Sequence, residues 1–432
     1  MIKKTNTISF YTLGCRVNQS ETAVLIRSFE DNSKFHVLPQ NTATDVAVIN
    51  TCTVTEKGDT DTRKLINKIN RLNSKTYIAL IGCQSQIQKE ELLKLPNVKL
   101  IVGNANKMDL SSLMKEIDSS PRTVIFTPDI PRKPFKIAYA GIDKSHTRAN
   151  IKIQDGCDFF CSYCEVPYAR GGARSREFND IIKEAKILSN AGHKEIVITG
   201  INVGSYKFKN YKFIDVVSAL EQIQKIKRIR ISSIELTTIP TGLLGKMYDN
   251  SKVCRFLHVP LQSGSNDILK AMNRKYTFEQ FNKFVYEAHR KVPDICIGTD
   301  IIVGFPGETE KLFCETFNNI SNSSIDHFHV FSYSKRRMAK SKLLINNVKP
   351  ETAKKRSELL RTLAQKKSKD FRRSLINKGA SVLIEQKKND IWTGLTDNYV
   401  RVEVPSSKDL SNKIIKVKLN EIKGQHMSGT II

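Results

Sequence analysis

Ile151-Lys152-Ile153-Gln154 is followed at once by Asp155-Gly156-Cys157-Asp158-Phe159-Phe160-Cys161-Ser162-Tyr163-Cys164. The first four residues read as a strand and the rest as a loop bearing three cysteines. Spacings of three and then two residues let one loop bring three thiolates to one centre and leave that centre one ligand short. A cubic iron–sulfur cluster held this way keeps one iron open to a small molecule. A structural zinc site closes with four ligands, and no cysteine or histidine follows Cys164 at close spacing, so the cluster is the reading taken.

Outward from that loop, apolar strands alternate with helical patterns. Strands are expected at Ile151–Gln154, Glu195–Thr199, Arg228–Ser232, Phe256–Val259, Ile295–Val303 and His327–Phe331. Helices are expected between them at Asp180–Ala191, Phe213–Ile223, Phe278–Val292 and Thr309–Ser321. Six such units suit an open, partial (β/α)6 barrel. Sites in parallel barrels lie at strand carboxyl ends, where Cys157, Cys161 and Cys164 fall.

The first 120 residues repeat the same unit on a smaller scale. Strands at Ile8–Leu13, Val46–Asn50 and Ile78–Ile81 end at Cys15, Cys52 and Cys83, and helices are expected at Glu21–Glu30, Asp59–Leu72 and Gln88–Leu95. A further strand at Lys99–Val102 and a helix near Met108–Ile117 complete this α/β unit. A parallel sheet presents its carboxyl ends along one edge, so the three cysteines would converge despite their separation. A shared metal or cluster site explains three equivalent positions better than three unrelated core cysteines. The proline-bearing stretch from Ser119 to Lys136 reads as a linker.

The formal charge is +27 over 432 residues, which makes nucleic acid the leading partner. Sixteen Lys or Arg against three acidic residues fall in Lys335–Lys378, with Leu359, Leu360, Leu363 and Phe371 in partial helical register. Such a segment is a solvated basic helix, a phosphate-contacting surface, or both. Short alternating strands follow at Ser381–Glu385, Ile391–Thr393, Val400–Val404 and Ile414–Leu419, as in a small β-barrel. Tyr399, Arg401, Arg372 and Arg373 are its candidate RNA contacts. No run of eighteen apolar residues occurs and the opening residues are no signal-peptide core, so a soluble, cytoplasmic chain without a membrane partner is expected. Reduced thiols follow from that compartment; Cys254, Cys296 and Cys314 are then expected as buried apolar side chains.

Taken in order, several motifs resemble the radical S-adenosylmethionine (SAM) methylthiotransferase family over nearly the whole chain. They are Thr12-Leu13-Gly14-Cys15-Arg16-Val17-Asn18-Gln19, Asn50-Thr51-Cys52-Thr53-Val54-Thr55, Gly82-Cys83, the triple-cysteine loop with Pro167-Tyr168-Ala169-Arg170-Gly171, His258-Val259-Pro260-Leu261-Gln262-Ser263-Gly264-Ser265, Gly304-Phe305-Pro306-Gly307-Glu308-Thr309, and Gly394–Val402. The resemblance implies an auxiliary-cluster domain over 5–118, a linker over 119–142, a radical SAM domain over 143–372 and an RNA-binding TRAM domain over 373–432. It implies two [4Fe-4S] clusters, held by Cys15, Cys52 and Cys83 and by Cys157, Cys161 and Cys164, with SAM cleaved at the second and sulfur supplied at the first. Thr199, Gly200, Ser232, Glu235 and Gln262 are the implied SAM contacts, and a donor such as flavodoxin or ferredoxin the implied electron source.

Gly14–Thr22 is similar to the members acting on threonylcarbamoyl-adenosine next to the tRNA anticodon. Methylthiolation of isopentenyl-adenosine in tRNA or of a ribosomal protein aspartate, and a non-catalytic iron–sulfur RNA-binding protein, are the alternatives. Three places depart from the family pattern: Glu165 replaces a usual apolar residue, Leu236 a frequent proline, and Lys335-Arg336-Arg337-Met338 a stretch of small residues.

Overall fold

The computed structural model describes residues 6–114, 122–138, 140–142, 147–248 and 251–432. Its first unit is a six-stranded parallel sheet. The strands are β1 (Asn6–Thr12), β2 (Phe35–Val37), β3 (Val46–Thr51), β4 (Tyr77–Gly82), β5 (Val98–Val102) and β6 (Val124–Phe126), in the order β2-β1-β3-β4-β5-β6. Every residue of β3 is buried, as expected where helices cover both faces of a parallel sheet. Between β1 and β3 the strand order reverses, and the crevice beyond the carboxyl ends there is the usual ligand position of such sheets. Helices α1 (Arg16–Glu30) and α2 (Glu56–Leu72) follow β1 and β3. The Thr55 side chain caps α2 by accepting from the Gly58 amide.

Some expected boundaries move. The helix expected over Gln88–Leu95 is two short pieces, α3 (Cys83–Ile87) and α4 (Lys89–Leu92). The helix near Met108–Ile117 is α5 (Leu110–Leu113) as far as it is described; residues 115–117 lie outside the described residues, as do 119–121 of the linker. Within that linker, β6 pairs with β5 from Leu100↔Val124 to Val102↔Phe126. A proline-flanked edge strand is hard to tell from a loop, because only one of its sides needs a partner.

The central unit carries β7 (Arg148–Lys152), the short pair β8 (Gln154–Asp155) and β9 (Arg174–Ser175) around α6 (Val166–Arg170), then α7 (Phe178–Asn190) and β10 (Glu195–Thr199). A small hairpin, β11 (Lys207–Phe208) and β12 (Tyr211–Lys212), precedes α8 (Phe213–Glu221) and β13 (Arg228–Ile231). After β14 (Phe256–His258) come α9 (Asn266–Ala271), α10 (Phe278–Lys291), β15 (Cys296–Val303), α11 (Glu310–Asn322) and β16 (His327–Ser332). Parallel pairing gives β13-β10-β7 and β14-β15-β16, joined by single bridges at Ile229↔Val253 and Ser233↔His258. This is the open six-strand barrel expected, except that the third unit crosses over through single turns at Leu236–Thr238 and Leu244–Lys246 instead of a full helix. Cys254 and Cys296 are buried as expected; Cys314 is exposed. It lies on α11 one residue past the buried Phe313, on the helix's outer side.

The basic segment forms α12 (Pro350–Ser374), opened by a proline where a missing N–H costs nothing. Leu360 and Leu363 bury against the barrel core while Leu359 stays exposed. The chain ends in a closed barrel β17-β18-β19-β21-β20, formed by β17 (Gly379–Lys388), β18 (Ile391–Thr396), β19 (Arg401–Pro405), β20 (Ile414–Lys423) and β21 (His426–Ile431). Closure removes the open edges that a five-strand sheet would expose. Among the described residues no helix is long and apolar enough to cross a membrane.

Candidate active site

Both cysteine triads sit where strands end. Cys15 follows β1, Cys52 follows β3 and Cys83 opens α3 after β4, three neighbouring strands with carboxyl ends on one edge. Gly14 makes this approach possible: it has φ +90°, and a Cβ there would lie 2.6 Å from the Cys52 Cβ and 2.7 Å from its Sγ. Asn104 donates to the Cys83 sulfur at 3.6 Å. Burial pushes the Cys52 thiol up to about 12, with Cys83 and Cys15 adding to the rise. Cys15 is exposed at the surface, yet desolvation by the surrounding protein raises its pKa, against the pull of Arg170.

The second triad hangs from the loop after β8. Gly156 (φ +70°) turns the chain where a Cβ would fall 2.1 Å from the Gly172 carbonyl, and Cys157 N–H donates to the Gly171 carbonyl. Burial pushes Cys157 up to about 11 and raises Cys164 further, Cys161 being the largest charge contribution on Cys164. Arg274 donates to the Cys161 sulfur at 3.3 Å. Burial thus favours the protonated thiol at Cys157 and Cys164, and a bound metal inverts that balance by deprotonating its thiol ligands. Soft thiolates with a guanidinium nearby fit an iron–sulfur cluster. Among the described residues no trio of Cys, His, Asp or Glu closes tightly enough for a single metal ion. A cluster of irons and sulfides is a larger body and needs its thiolates further apart.

A cavity of about 190 Å³ is lined by one cysteine of each triad, Cys83 and Cys164. Val54, Val166, Ile302 and Phe331 make it largely apolar, and Gln262, Asp300 and Glu165 are among its polar neighbours. Gln262 holds φ +81°, an unusual conformation for a residue with a side chain. Its backbone is pinned on both sides by β15, through the Asp300 carbonyl and the Ile302 amide.

The other expected SAM contacts gather at the ends of β10 and β13. Thr199 is fully buried, its carbonyl accepting from the Ile153 amide. Gln154 accepts from the Ile201 and Asn202 amides and packs beneath Gly200. Glu235 is held by Arg274 at 2.6 Å and 2.8 Å; burial raises its carboxyl, and Arg274 limits the rise. Ser232 Oγ, Asn202 Nδ2 and Arg274 Nε are buried without a partner. Unsatisfied buried donors and acceptors are costly, and this group fits a polar small molecule such as SAM.

A buried charge network joins the two units. Glu21 of α1 receives Lys107, Lys152 at 2.6 Å and Arg170 at 3.0 Å, while Asp155 receives Lys152 at 2.7 Å, Arg170 at 2.9 Å and Arg174 at 3.0 Å. Burial alone would raise the Glu21 carboxyl, but Arg170, Lys107 and Lys152 overcome it and hold it far below the usual carboxylate range. Burial and Arg170 pull Lys107 down to about 8. Arg170 and Glu21 stand within the sequence motifs without a role assigned to them, and Lys107 and Arg274 stand outside every motif. Their partners are distant in sequence, so no local spacing announces them. Glu165 does not reach solvent: it is buried against Thr53, Arg336 and the Met338 amide.

The expected RNA contacts divide. Arg372, Arg401 and Tyr399 line a groove of about 810 Å³ between β16, α12 and the terminal barrel, together with Arg361, Lys369 and His327. Arg373 instead pairs with Asp370 on the exposed side of α12. The Tyr399 ring stacks on Phe256 at 4.2 Å with Arg230 5.5 Å away, so its faces hold the terminal barrel to the central one. Arg230 and Arg228 complete that joint through the Thr396, Asp397 and Leu395 carbonyls.

Two family models match the chain: the Radical SAM superfamily over residues 151–320 and Uncharacterized protein family UPF0004 over residues 7–103. The chain is 35% identical over 425 residues to the threonylcarbamoyladenosine tRNA methylthiotransferase MtaB of Bacillus subtilis (strain 168), covering 96% of this chain and 93% of that protein. It is 34% identical to the protein of the same name from Aquifex aeolicus (strain VF5), over 95% of this chain and 99% of that one. It is also 33% identical to a tRNA-2-methylthio-N(6)-dimethylallyladenosine synthase of Lachnoclostridium phytofermentans, over 99% of this chain and 95% of that one. Among solved structures, the radical SAM methyltransferase TsrM from Kitasatospora setae superposes with a TM-score of 0.55 at 14% identity, over 75% of this chain and 72% of that one. That likeness concerns the fold alone.

Proposed function

The chain belongs to the radical SAM methylthiotransferase family and is a tRNA-modifying enzyme of it, and from that premise we propose that it converts threonylcarbamoyl-adenosine beside the tRNA anticodon to the 2-methylthio derivative. The single observation that carries the reading is that one cavity is lined by a member of each cysteine triad, Cys83 and Cys164. Inserting sulfur at an aromatic C–H needs a hydrogen-abstracting radical and a sulfur donor within reach of the same carbon, and one triad is available for each. In this reading Cys157, Cys161 and Cys164 hold one [4Fe-4S] cluster and Cys15, Cys52 and Cys83 a second. A cluster with SAM bound supplies a carbon radical on reduction.

The chain's own side chains would position the reactants. Arg274 spans from Cys161 to Glu235, so a ligand resting on Glu235 is held at a fixed distance from that cysteine. Ser232 Oγ and Asn202 Nδ2 offer an acceptor and donors to SAM's polar groups. Val54, Val166 and Ile302 would offer an apolar wall to the substrate base. The basic groove with Arg372 and Arg401 would carry tRNA phosphates, and a flavodoxin or ferredoxin would supply electrons.

The choice of threonylcarbamoyl-adenosine rests on the residues around Cys15 and on the similarity to the two relatives named for that substrate. One observation favours dimethylallyl-adenosine instead: among the described residues lining the cavity none is a cation, where a threonyl carboxylate would call for one. Mass spectrometry of tRNA nucleosides from cells lacking the gene decides between them. Loss of methylthio-threonylcarbamoyl-adenosine, restored by wild-type protein, is expected; loss of the dimethylallyl counterpart alone would overturn the substrate assignment.

A further inference from the structure

Two charged side chains from segments far apart in sequence meet in space beside Cys164. Glu165, directly after Cys164, is 3% exposed, and Arg336, from the segment after β16, donates to its Oε2 at 3.1 Å. The other carboxylate oxygen accepts from the Met338 amide at 2.7 Å. Arg336 reaches on into the amino-terminal unit, where its Nη2 donates to Thr53 Oγ1 at 3.0 Å and Asp59 Oδ2 at 2.9 Å. Thr53 directly follows Cys52 and donates back to Glu165 at 3.3 Å. Gln88, in the segment after Cys83, donates to Thr53 at 3.2 Å and Asp59 at 3.4 Å. One guanidinium thus ties the neighbour of Cys164 to the neighbour of Cys52, beside the cavity that Cys83 and Cys164 line.

An apolar residue at 165 could not bridge this gap, and a small residue at 336 could not reach it. Glu165 would be buried without a countercharge if Arg336 were absent; the guanidinium meets it and holds Asp59 as a second carboxylate. The planar fork of arginine suits the task because it meets two carboxylates and a hydroxyl from fixed directions. We propose that Glu165 and Arg336 are positioning residues: a buried strut that locks the cysteine loop of the barrel to the loop after Cys52 and so fixes the separation of the two triads. The inference rests on reading the six cysteines as holders of two clusters. Radical transfer chemistry depends steeply on such a separation, since a misplacement of about 1 Å costs roughly a hundredfold in rate.

Hydrogen exchange on protein without iron tests the strut first. Arg336→Met is expected to speed amide exchange about tenfold or more in residues 53–59 and 335–339, while residues 379–431 of the terminal barrel keep wild-type rates. Unchanged exchange in the two segments, or acceleration over the whole chain, overturns the strut. The positioning role is then read after loading with iron and sulfide, using Arg336→Met and the double variant Glu165→Met with Arg336→Met. Arg336→Met should keep wild-type iron content and SAM cleavage, and both variants should form about tenfold to a hundredfold less methylthiolated product per SAM cleaved. The double variant removes the buried Glu165–Arg336 pair whole, leaving Asp59 to Gln88 alone, and should regain part of the thermal stability that the single one loses. If product yield returns along with stability, the pair is only structural and the proposal fails. Wild-type protein that bound no iron at either triad would sink the cluster reading, while the exchange result would still decide the strut.

Discussion

Replacing Glu21 by glutamine removes the anion on which Lys107, Lys152 and Arg170 converge. All four side chains are at most 5% exposed, so solvent cannot screen the cations left behind. Breaking a buried pair costs about 3–5 kcal/mol; Asp155 still holds Lys152 and Arg170, which places the expected loss near the lower end. At roughly 2–4 °C per kcal/mol for a body of this size, the melting temperature of metal-free Glu21→Gln protein should fall by about 6–12 °C. The control is Arg27→Ala, which removes a pair with Asp31 whose side chains are 43% and 40% exposed and is worth less than about 1 kcal/mol. The acid limb gives a second reading. Because the folded Glu21 carboxyl lies below its unfolded value, its contribution is complete above about pH 4.3 and is lost as pH falls through the folded pKa. The gap between wild type and Glu21→Gln should therefore be full at neutral pH and close only in strong acid. A Glu21→Gln melting temperature within about 2 °C of the Arg27→Ala control would refute the reasoning.

Two further outcomes are expected. Cys161→Ala should abolish reductive SAM cleavage, whereas Cys52→Ala should keep it, lose sulfur insertion and bind about half the iron of wild type; an iron content unchanged in Cys52→Ala would remove the auxiliary triad from the site. Burial, with His329 and His258, pulls His327 down to about 4, so its imidazole should remain neutral in an NMR titration at pH 6. Below about pH 6.5 the unfolded chain then takes up a proton that the fold refuses, and stability falls with pH through that window. A His327 titrating near 6.5 contradicts the packing of β16 against the groove.

Much of this architecture was readable along the chain because its causes are local. Alternation of short apolar runs with amphipathic stretches dictates parallel sheets, and parallel sheets put strand carboxyl ends on one edge. That is why Cys15, Cys52 and Cys83 could be grouped from positions tens of residues apart. Edge strands escaped: β2 and β6 are short and half-exposed, and an element with one neighbour carries only half the burial that makes a strand visible. Tyr399 shows the same limit in a side chain, since nothing near it in sequence reveals that Phe256 takes up its ring face.

The cysteine triads and the fold that carries them were thus determined by the sequence itself, through periodicity and the geometry of parallel strands. Only the tertiary structure decided how the triads are held to one another. Arg170 meets Glu21 across 149 positions and Arg336 meets Glu165 across 171. A charge's partner over such a span is set by which surfaces pack together, and no local pattern encodes it.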